Sequence, residues 1–483
     1  MHTKVLNLKT INPNIVKLEY AVRGAIVQRA IQLEQELLNK NNKLPFDEVI
    51  KCNIGDCHAT GQMPITFFRQ VVAGLTLPTI LDEPGFPKDA KDRAQRILDS
   101  CSGSSIGSYS HSQGVDVIRK DIANFITSRD GIKCDFNNVF LSTGASEAIK
   151  GIIALMSTTK SGNERAGIMI PIPQYPLYSA TAAEYDAHQI DYYLDEDNNW
   201  GISEKALESA FENSKGKCLP RAICVINPGN PTGQVLTKDD MKMIIRFAYK
   251  NKLVILADEV YQFNIYNPEK FPWISFKSVL SEMEPELRDS VELVSFMSAS
   301  KGYMGECGFR GGYGEIVNFD PEVIVQFYKA LSARLCPSVS GQAIIGTICN
   351  PPREGEESYN RFVKERDQVL NDLLEKSRLL TSTLNALDGI HCNELLGAMY
   401  AFPKVSIPEK AIQAAEKKSI KPDFMYCSEL LEETGICVVP GSGFGQLPGT
   451  FHFRMTILPP VEKMKVVMEK FAVFHKGFLK RYS

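Results

Sequence analysis

Apolar and polar positions change their rhythm along the chain. From Lys17 to Lys40 the residues Leu18, Val22, Ile26, Ala30, Leu33 and Leu37 recur every three or four positions, which predicts one long amphipathic helix. Pro78 to Asp92 holds three prolines and a glycine and predicts a connecting loop. Gly103 to Gly114, rich in Ser and Gly, predicts an exposed loop. From Asn138 short apolar runs alternate with helical patterns. Val139-Phe140-Leu141 precedes Gly144 and a helix through Met156. Gly167 to Ile170 precedes a Pro-rich turn, and Ala222 to Ile226 precedes Asn227-Pro-Gly-Asn-Pro-Thr-Gly233. Asp239 to Tyr249 reads as helix. Leu253 to Ala257 precedes Asp258, and Leu293 to Met297 precedes Ser298-Ala-Ser-Lys301. This alternation predicts an α/β fold with a mostly parallel central sheet and helices on its faces. The polar residues follow the carboxyl ends of the strands, where open sheets of this kind bind ligands.

Beyond about Ile324 the pattern is mostly helical. Tyr359 to Leu387 sets Phe362, Val369, Leu373, Leu380 and Leu384 on one side. Met399 to Phe402 and Ile436 to Val439 are short strand candidates. A smaller α+β lobe is expected here, closed by the N-terminal segment. The expected division is 1–100 for an N-terminal arm and part of the small domain, 101–325 for the large domain and 326–483 for the small one.

Composition narrows the function classes. The chain has 483 residues, 44% hydrophobic and 23% charged, with a net charge of −3. That is enough chain for a large core, and a near-neutral charge argues against nucleic-acid binding. No apolar run approaches the ~20 residues that span a bilayer, so no membrane partner is expected. The 12 cysteines include no C-x-x-C pair. Cys52, Cys57 and His58 match no common zinc spacing, so no metal is expected. The N-terminal Met-His-Thr-Lys-Val-Leu has no signal-like apolar core, which makes the cytoplasm the expected compartment.

Four places could carry chemistry. Lys301 sits just past an apolar strand, among Ser298, Ser300 and Arg310. A lysine amine placed among apolar residues and cations sheds its proton more easily and can attack a carbonyl. Asp258 ends an apolar strand, where a carboxylate is costly unless paired. Ser142-Thr-Gly-Ala-Ser146 lies between a strand and a helix, and free N–H groups at a helix start hold anions. Arg454, among alternating aromatics in Phe451-His-Phe-Arg-Met-Thr456, suits bidentate carboxylate recognition. Taken singly, each has an ordinary reading as a solvated lysine, a structural ion pair or a glycine turn. Nucleotide-binding alternatives fall away: no G-x-x-x-x-G-K-[ST] exists, and Gly441-Ser-Gly-Phe-Gly445 meets Gln446 where a dinucleotide fingerprint needs its last glycine.

Their order is more informative than any one of them. A phosphate turn, then Asn227-Pro-Gly-Asn-Pro-Thr-Gly233, then an acid and then Ser-x-Ser-Lys, each after a strand, resembles the fold-type I, pyridoxal-phosphate-dependent aminotransferases. The resemblance runs from about Asn53 to Thr456. Within that family, Ser-Tyr-Ser-His-Ser-Gln-Gly114, Pro-Gln-Tyr-Pro-Leu-Tyr178 and Lys301-Gly-Tyr-Met-Gly-Glu-Cys-Gly-Phe-Arg-Gly-Gly-Tyr313 are similar to the alanine aminotransferases.

The resemblance implies pyridoxal 5′-phosphate as cofactor and a ping-pong exchange of L-alanine and 2-oxoglutarate for pyruvate and L-glutamate. It implies that Lys301 holds the cofactor and carries the proton from the substrate's α-carbon. Asp258 matches the carboxylate facing the pyridine nitrogen. Tyr261 and Asn230 match the partners of the ring hydroxyl, and Tyr175 the aromatic stacked on the ring. Ala145, Ser146, Ser298, Ser300 and Arg310 match the phosphate cup. Tyr109 matches a tyrosine reaching the phosphate across a homodimer. Arg454, with Gly55 and Asn230, matches the substrate-binding set. Phe309 departs from the Tyr of many relatives, and no second arginine stands out for a side-chain carboxylate. The alternatives on the same fold are a lyase or synthase and a transaminase of other donor or acceptor, such as glyoxylate.

Overall fold

The computed structural model describes residues 4–20, 24–39, 41–158 and 160–483. Seven strands form a central sheet. Their spatial order is Val139–Thr143, Gly311–Val317, Leu293–Ser298, Val254–Asp258, Leu219–Ile226, Ala166–Ile172, His188–Tyr193. Neighbours from Leu293–Ser298 to His188–Tyr193 pair in parallel. Gly311–Val317 runs antiparallel to both its neighbours. The sheet is thus mostly parallel, the expected α/β, fold-type I architecture.

The strands are continuous apolar runs because both faces are covered. The pleat sends alternate residues to opposite cores. Ala222, Cys224, Ile226 and Leu256 pack on one side, with helix Ala145–Met156. Ile223, Val225, Ile255 and Ala257 pack on the other, with helix Lys238–Asn251. That helix starts in a reciprocal cap between Thr237 and Asp240. Asp258 continues the series of Leu256, so it lands on the Ala145–Met156 side, where Tyr178 meets it.

The small lobe packs helices Tyr359–Asn385, Pro422–Thr434 and Val461–Arg481 around short strands. Phe453–Thr456 lies between Tyr400–Ala401 and Val439–Pro440, antiparallel to both. The N-terminal segment joins this lobe: Ile50–Lys51 pairs in parallel with Ile436–Cys437, and Arg29 bonds Glu432 at 2.6 Å.

Two expectations need correction. The single helix over 17–40 is two helices, Pro13–Lys17 and Ala25–Leu37, with extended backbone at Leu18; Val22 and Lys40 lie outside the described residues. The loop at 78–92 is partly helical, because Pro87 sits before a helix, Lys88–Asp99, whose Ala90, Ala94, Ile97 and Leu98 are buried. Packing ties some residues outside 101–325 to the large sheet. Phe68, Val71, Ala94 and Ile97 share a core with Ile118 and Tyr313 of the large lobe, as do Val339 and Ile344 of helix Val339–Cys349. Their apolar faces bury on the large sheet, so these helices go with it.

Candidate active site

A cleft of about 520 Å³ opens where the carboxyl ends of the strands meet the small lobe. Tyr20, Gly55, Ala145, Ser146, Tyr175, Asn230, Asp258, Tyr261, Ser298, Ser300, Lys301, Arg310, Tyr400 and Arg454 all line it. Every expected site residue except Tyr109 therefore converges on one cavity. Tyr109 lies outside it, 75% exposed on the Ser/Gly-rich loop.

Asp258 is 3% exposed and accepts from Tyr178 Oη at 3.0 Å and from the Val260 N–H at 3.4 Å. Burial pushes its carboxyl up to about 6, against the downward pull of those two bonds and of Lys301. Among the described residues no cation pairs with it directly. Lys301 is half-buried, and its Nζ donates to Gly55 O at 3.0 Å. Burial pulls its pKa down, but Tyr400, Cys307 and Cys57 facing it outweigh burial and Arg454, and the net direction is up.

Asn230 comes from the turn after Leu219–Ile226. Its Nδ2 donates to Tyr261 Oη at 3.4 Å, and its Oδ1 accepts from Arg454 Nη1 at 3.2 Å. Burial and the nearby Tyr400 hold the Tyr261 phenol well above its usual range. Arg454 is 1% exposed; Nη2 donates to Asn53 O at 2.7 Å, and the guanidinium lies 4.2 Å from the Tyr400 ring centroid and 4.7 Å from that of Phe444. Its Nε is buried and finds no acceptor on the protein. No carboxylate pairs with Arg454 or Arg310 among the described residues.

At the opposite end, helix Ala145–Met156 starts without a side-chain cap at Gly144. Arg310 reaches it, with Nη2 3.5 Å from Ser146 Oγ, and donates to Thr143 O and Cys307 O. Ser298 Oγ accepts from the Ser300 N–H at 3.3 Å. Uncapped N–H groups, hydroxyls and an arginine without a carboxylate suit a phosphate dianion. A buried carboxylate without a cation suits a protonated ring nitrogen, and a buried arginine with no carboxylate partner and an unpartnered Nε–H suits a substrate carboxylate. The residues present fit pyridoxal 5′-phosphate and an amino acid. Among the described residues no cluster fit to hold a metal occurs.

Tyr400 and Tyr20 are site residues the sequence reading missed. Tyr400 Oη occupies the space beside Gly55, where a Cβ would come within 1.8 Å of it. It lies on a two-residue strand, too short to show a period. Tyr20 Oη pairs with Tyr175 Oη at 2.9 Å. It lies outside any motif, and only its long-range contact marks it.

The family described as "Aminotransferase class I and II" matches residues 81–471. The chain is 54% identical to "Alanine aminotransferase 1" of Mus musculus over 481 residues, which is 99% of this chain and 96% of that protein. It is 45% identical to "Alanine aminotransferase 2, mitochondrial" of Arabidopsis thaliana over 99% of this chain and 88% of that protein. Among solved structures, "Alanine aminotransferase from Pyrococcus furiosus" superposes with a TM-score of 0.75 at 22% identity, over 96% of this chain and 99% of that one.

Proposed function

The chain belongs to the class I and II aminotransferase family, and from that premise we propose that it is an alanine aminotransferase, exchanging L-alanine and 2-oxoglutarate for pyruvate and L-glutamate with pyridoxal 5′-phosphate. The observation that carries the reading is three groups in one cleft: a buried Asp258 with no cation partner, Lys301, and Arg454 with no carboxylate partner and an unpartnered Nε. When bound, the cofactor supplies an aldehyde that takes the amino group and a ring that accepts the electron pair left on the α-carbon. The chain supplies the rest. Ala145, Ser146, Ser298, Ser300 and Arg310 hold the phosphate at the helix start. Asp258 keeps the proton on the ring nitrogen. Tyr261 and Asn230 face the ring hydroxyl, and Tyr175 covers the ring. Arg454 grips the substrate's α-carboxylate, with Asn230 and Gly55 beside it. That grip would turn the α-hydrogen toward Lys301, whose Nζ would take the proton from the α-carbon and give it to the carbon of the cofactor's aldehyde group.

Three further points belong to the same reading. Tyr109 is supplied to the partner's phosphate in a homodimer. The large lobe carries the cofactor and the small lobe closes on the substrate. The cytoplasm is the compartment in this reading; all 12 cysteines are free, and no described helix is long and apolar enough to cross a membrane.

The test is a half-reaction. Cofactor-loaded protein mixed with L-alanine alone releases one pyruvate per site and stops, and later 2-oxoglutarate releases glutamate. Pyruvate appearing only when both substrates are present contradicts ping-pong exchange. Continuous release of ammonia or another elimination product supports a lyase instead.

A further inference from the structure

The segment carrying Lys301 is a closed loop. Its neck forms where the Ala299 N–H donates to Gly311 O at 3.0 Å and the Glu306 N–H donates to Ala299 O at 2.9 Å. Lys301 presents its amine to the cleft from one side of this loop. Glu306 lies on the other side, outside the cleft, with its carboxylate 2% exposed. That carboxylate accepts two bonds from Arg69 of helix Thr66–Thr76, Nε to Oε1 at 2.7 Å and Nη2 to Oε2 at 2.8 Å. The Arg69 guanidinium also lies 5.3 Å from the Phe309 ring centroid, further along the same loop.

The loop that supplies Gly55 docks on this same segment. Gln62 Nε2 donates to Tyr303 O at 2.8 Å, and His58 Nε2 lies 3.3 Å from Met304 O and 3.9 Å from Glu306 Oε2. The approach is close: a Cβ at Gly305 would come within 2.6 Å of Cys57 Cβ. The backbone under Lys301 and the carbonyl its amine donates to are therefore fixed by one assembly, with the Glu306 carboxylate inside it.

An ion pair whose arginine is 44% exposed and whose carboxylate is 2% exposed is weak as a source of stability, because water screens the one charge and desolvation of the other offsets much of their attraction. Its two parallel bonds do fix an angle and a position. Position matters for a flexible lysine that must meet an α-carbon, since a displacement of about 1 Å can cost on the order of 100-fold in rate. We propose that Glu306 and Arg69 are positioning residues for Lys301, setting the loop from which its amine reaches the reacting carbon. The proposal rests on Lys301 as the proton carrier.

Glu306→Gln keeps the shape and loses the charge; Arg69→Lys keeps the charge and loses the fork. With alanine and 2-oxoglutarate, Glu306→Gln is expected to lower kcat by about tenfold or more while KM stays within about twofold, because Arg454 is untouched. The rate at which apoprotein attaches pyridoxal 5′-phosphate to Lys301, followed by absorbance, falls by a similar factor. Arg69→Lys gives a smaller loss in both, and the double variant Glu306→Gln/Arg69→Gln is no worse than Glu306→Gln alone, as a pair acting as one unit requires. A lowered thermal midpoint with kcat and attachment rate unchanged overturns the proposal and leaves the pair a structural clip. A raised KM with kcat unchanged also overturns it. Failure of the wild type to transaminate alanine strikes the function reading instead, and the attachment rate still tests the positioning.

Discussion

Asp258 shows at the scale of one residue how function is held against stability. Its carboxyl titrates near 6 in the folded chain without cofactor, because burial disfavours the anion more than Tyr178 and Val260 favour it. An unfolded aspartate titrates near 3.9. The folded state therefore binds the proton more tightly, and stability is lost as pH rises from about 4 through about 6. Above that range the buried anion costs on the order of 3 kcal/mol, since each tenfold change in proton affinity is worth about 1.4 kcal/mol. A protonated ring nitrogen beside it would remove that cost. Asp258→Asn is neutral at every pH, and it can keep both bonds by donating to Tyr178 and accepting from Val260. Two outcomes follow from this. The apo variant melts higher than apo wild type at pH 8 and loses the advantage by pH 4, read by thermal unfolding at both pH values. Transamination falls by orders of magnitude, because a neutral amide does not hold the ring proton. A variant within about tenfold of wild-type turnover, less than ~1.4 kcal/mol of barrier, contradicts the role.

At the scale of elements the site depends on close approach. Gly144 has φ +75° at the start of helix Ala145–Met156, and a Cβ there would sit 2.5 Å from Arg310 Nη2. Gly144→Ala both strains the turn, by roughly 1 kcal/mol, and pushes the arginine off the helix start. Cofactor affinity is expected to drop about tenfold or more in a titration of the apoprotein, with turnover at saturating cofactor close to wild type. Unchanged affinity would remove Gly144 and Arg310 from the phosphate cup. The same crowding explains what the sequence hid. Strand Gly311–Val317 shows no continuous apolar run because glycine is needed there: a Cβ at Gly312 would meet Ala145 N at 2.6 Å and one at Gly314 the Phe140 ring at 2.4 Å. His188–Tyr193 is an edge strand with exposed polar positions, so it lacks the continuous apolar run that revealed its neighbours. The strands ending at Asp258 and Ser298 were legible because burial on both faces writes itself as an unbroken apolar stretch. Asp258, Lys301 and the Asn227–Gly233 turn were legible with them, because each lies at or just past the end of such a strand. Arg69 and Glu306 were not, being 237 residues apart with no local pattern to join them. Tyr20 was hidden in the same way, because only tertiary packing brings it to Tyr175.

At the scale of the whole molecule the open question is where Tyr109 acts. It is the one expected site residue outside its own chain's cleft, and it is an aromatic left 75% exposed on the Gly103–Gly114 loop. In the reading proposed above it reaches the phosphate of a second subunit. A symmetric dimer makes that exchange reciprocal and gives two equal sites. Tyr109→Ala and Lys301→Ala chains are each expected to be nearly inactive alone. A dimer of one of each has one site with Lys301 from the first chain and Tyr109 from the second, hence fully native. Its other site carries both defects. With random assortment about half of the dimers are mixed and half of their sites are native, so about a quarter of wild-type activity returns on co-refolding. Differential tags report the mixed fraction. Mixed dimers that recover no activity would place Tyr109 in its own subunit's site or outside the chemistry altogether.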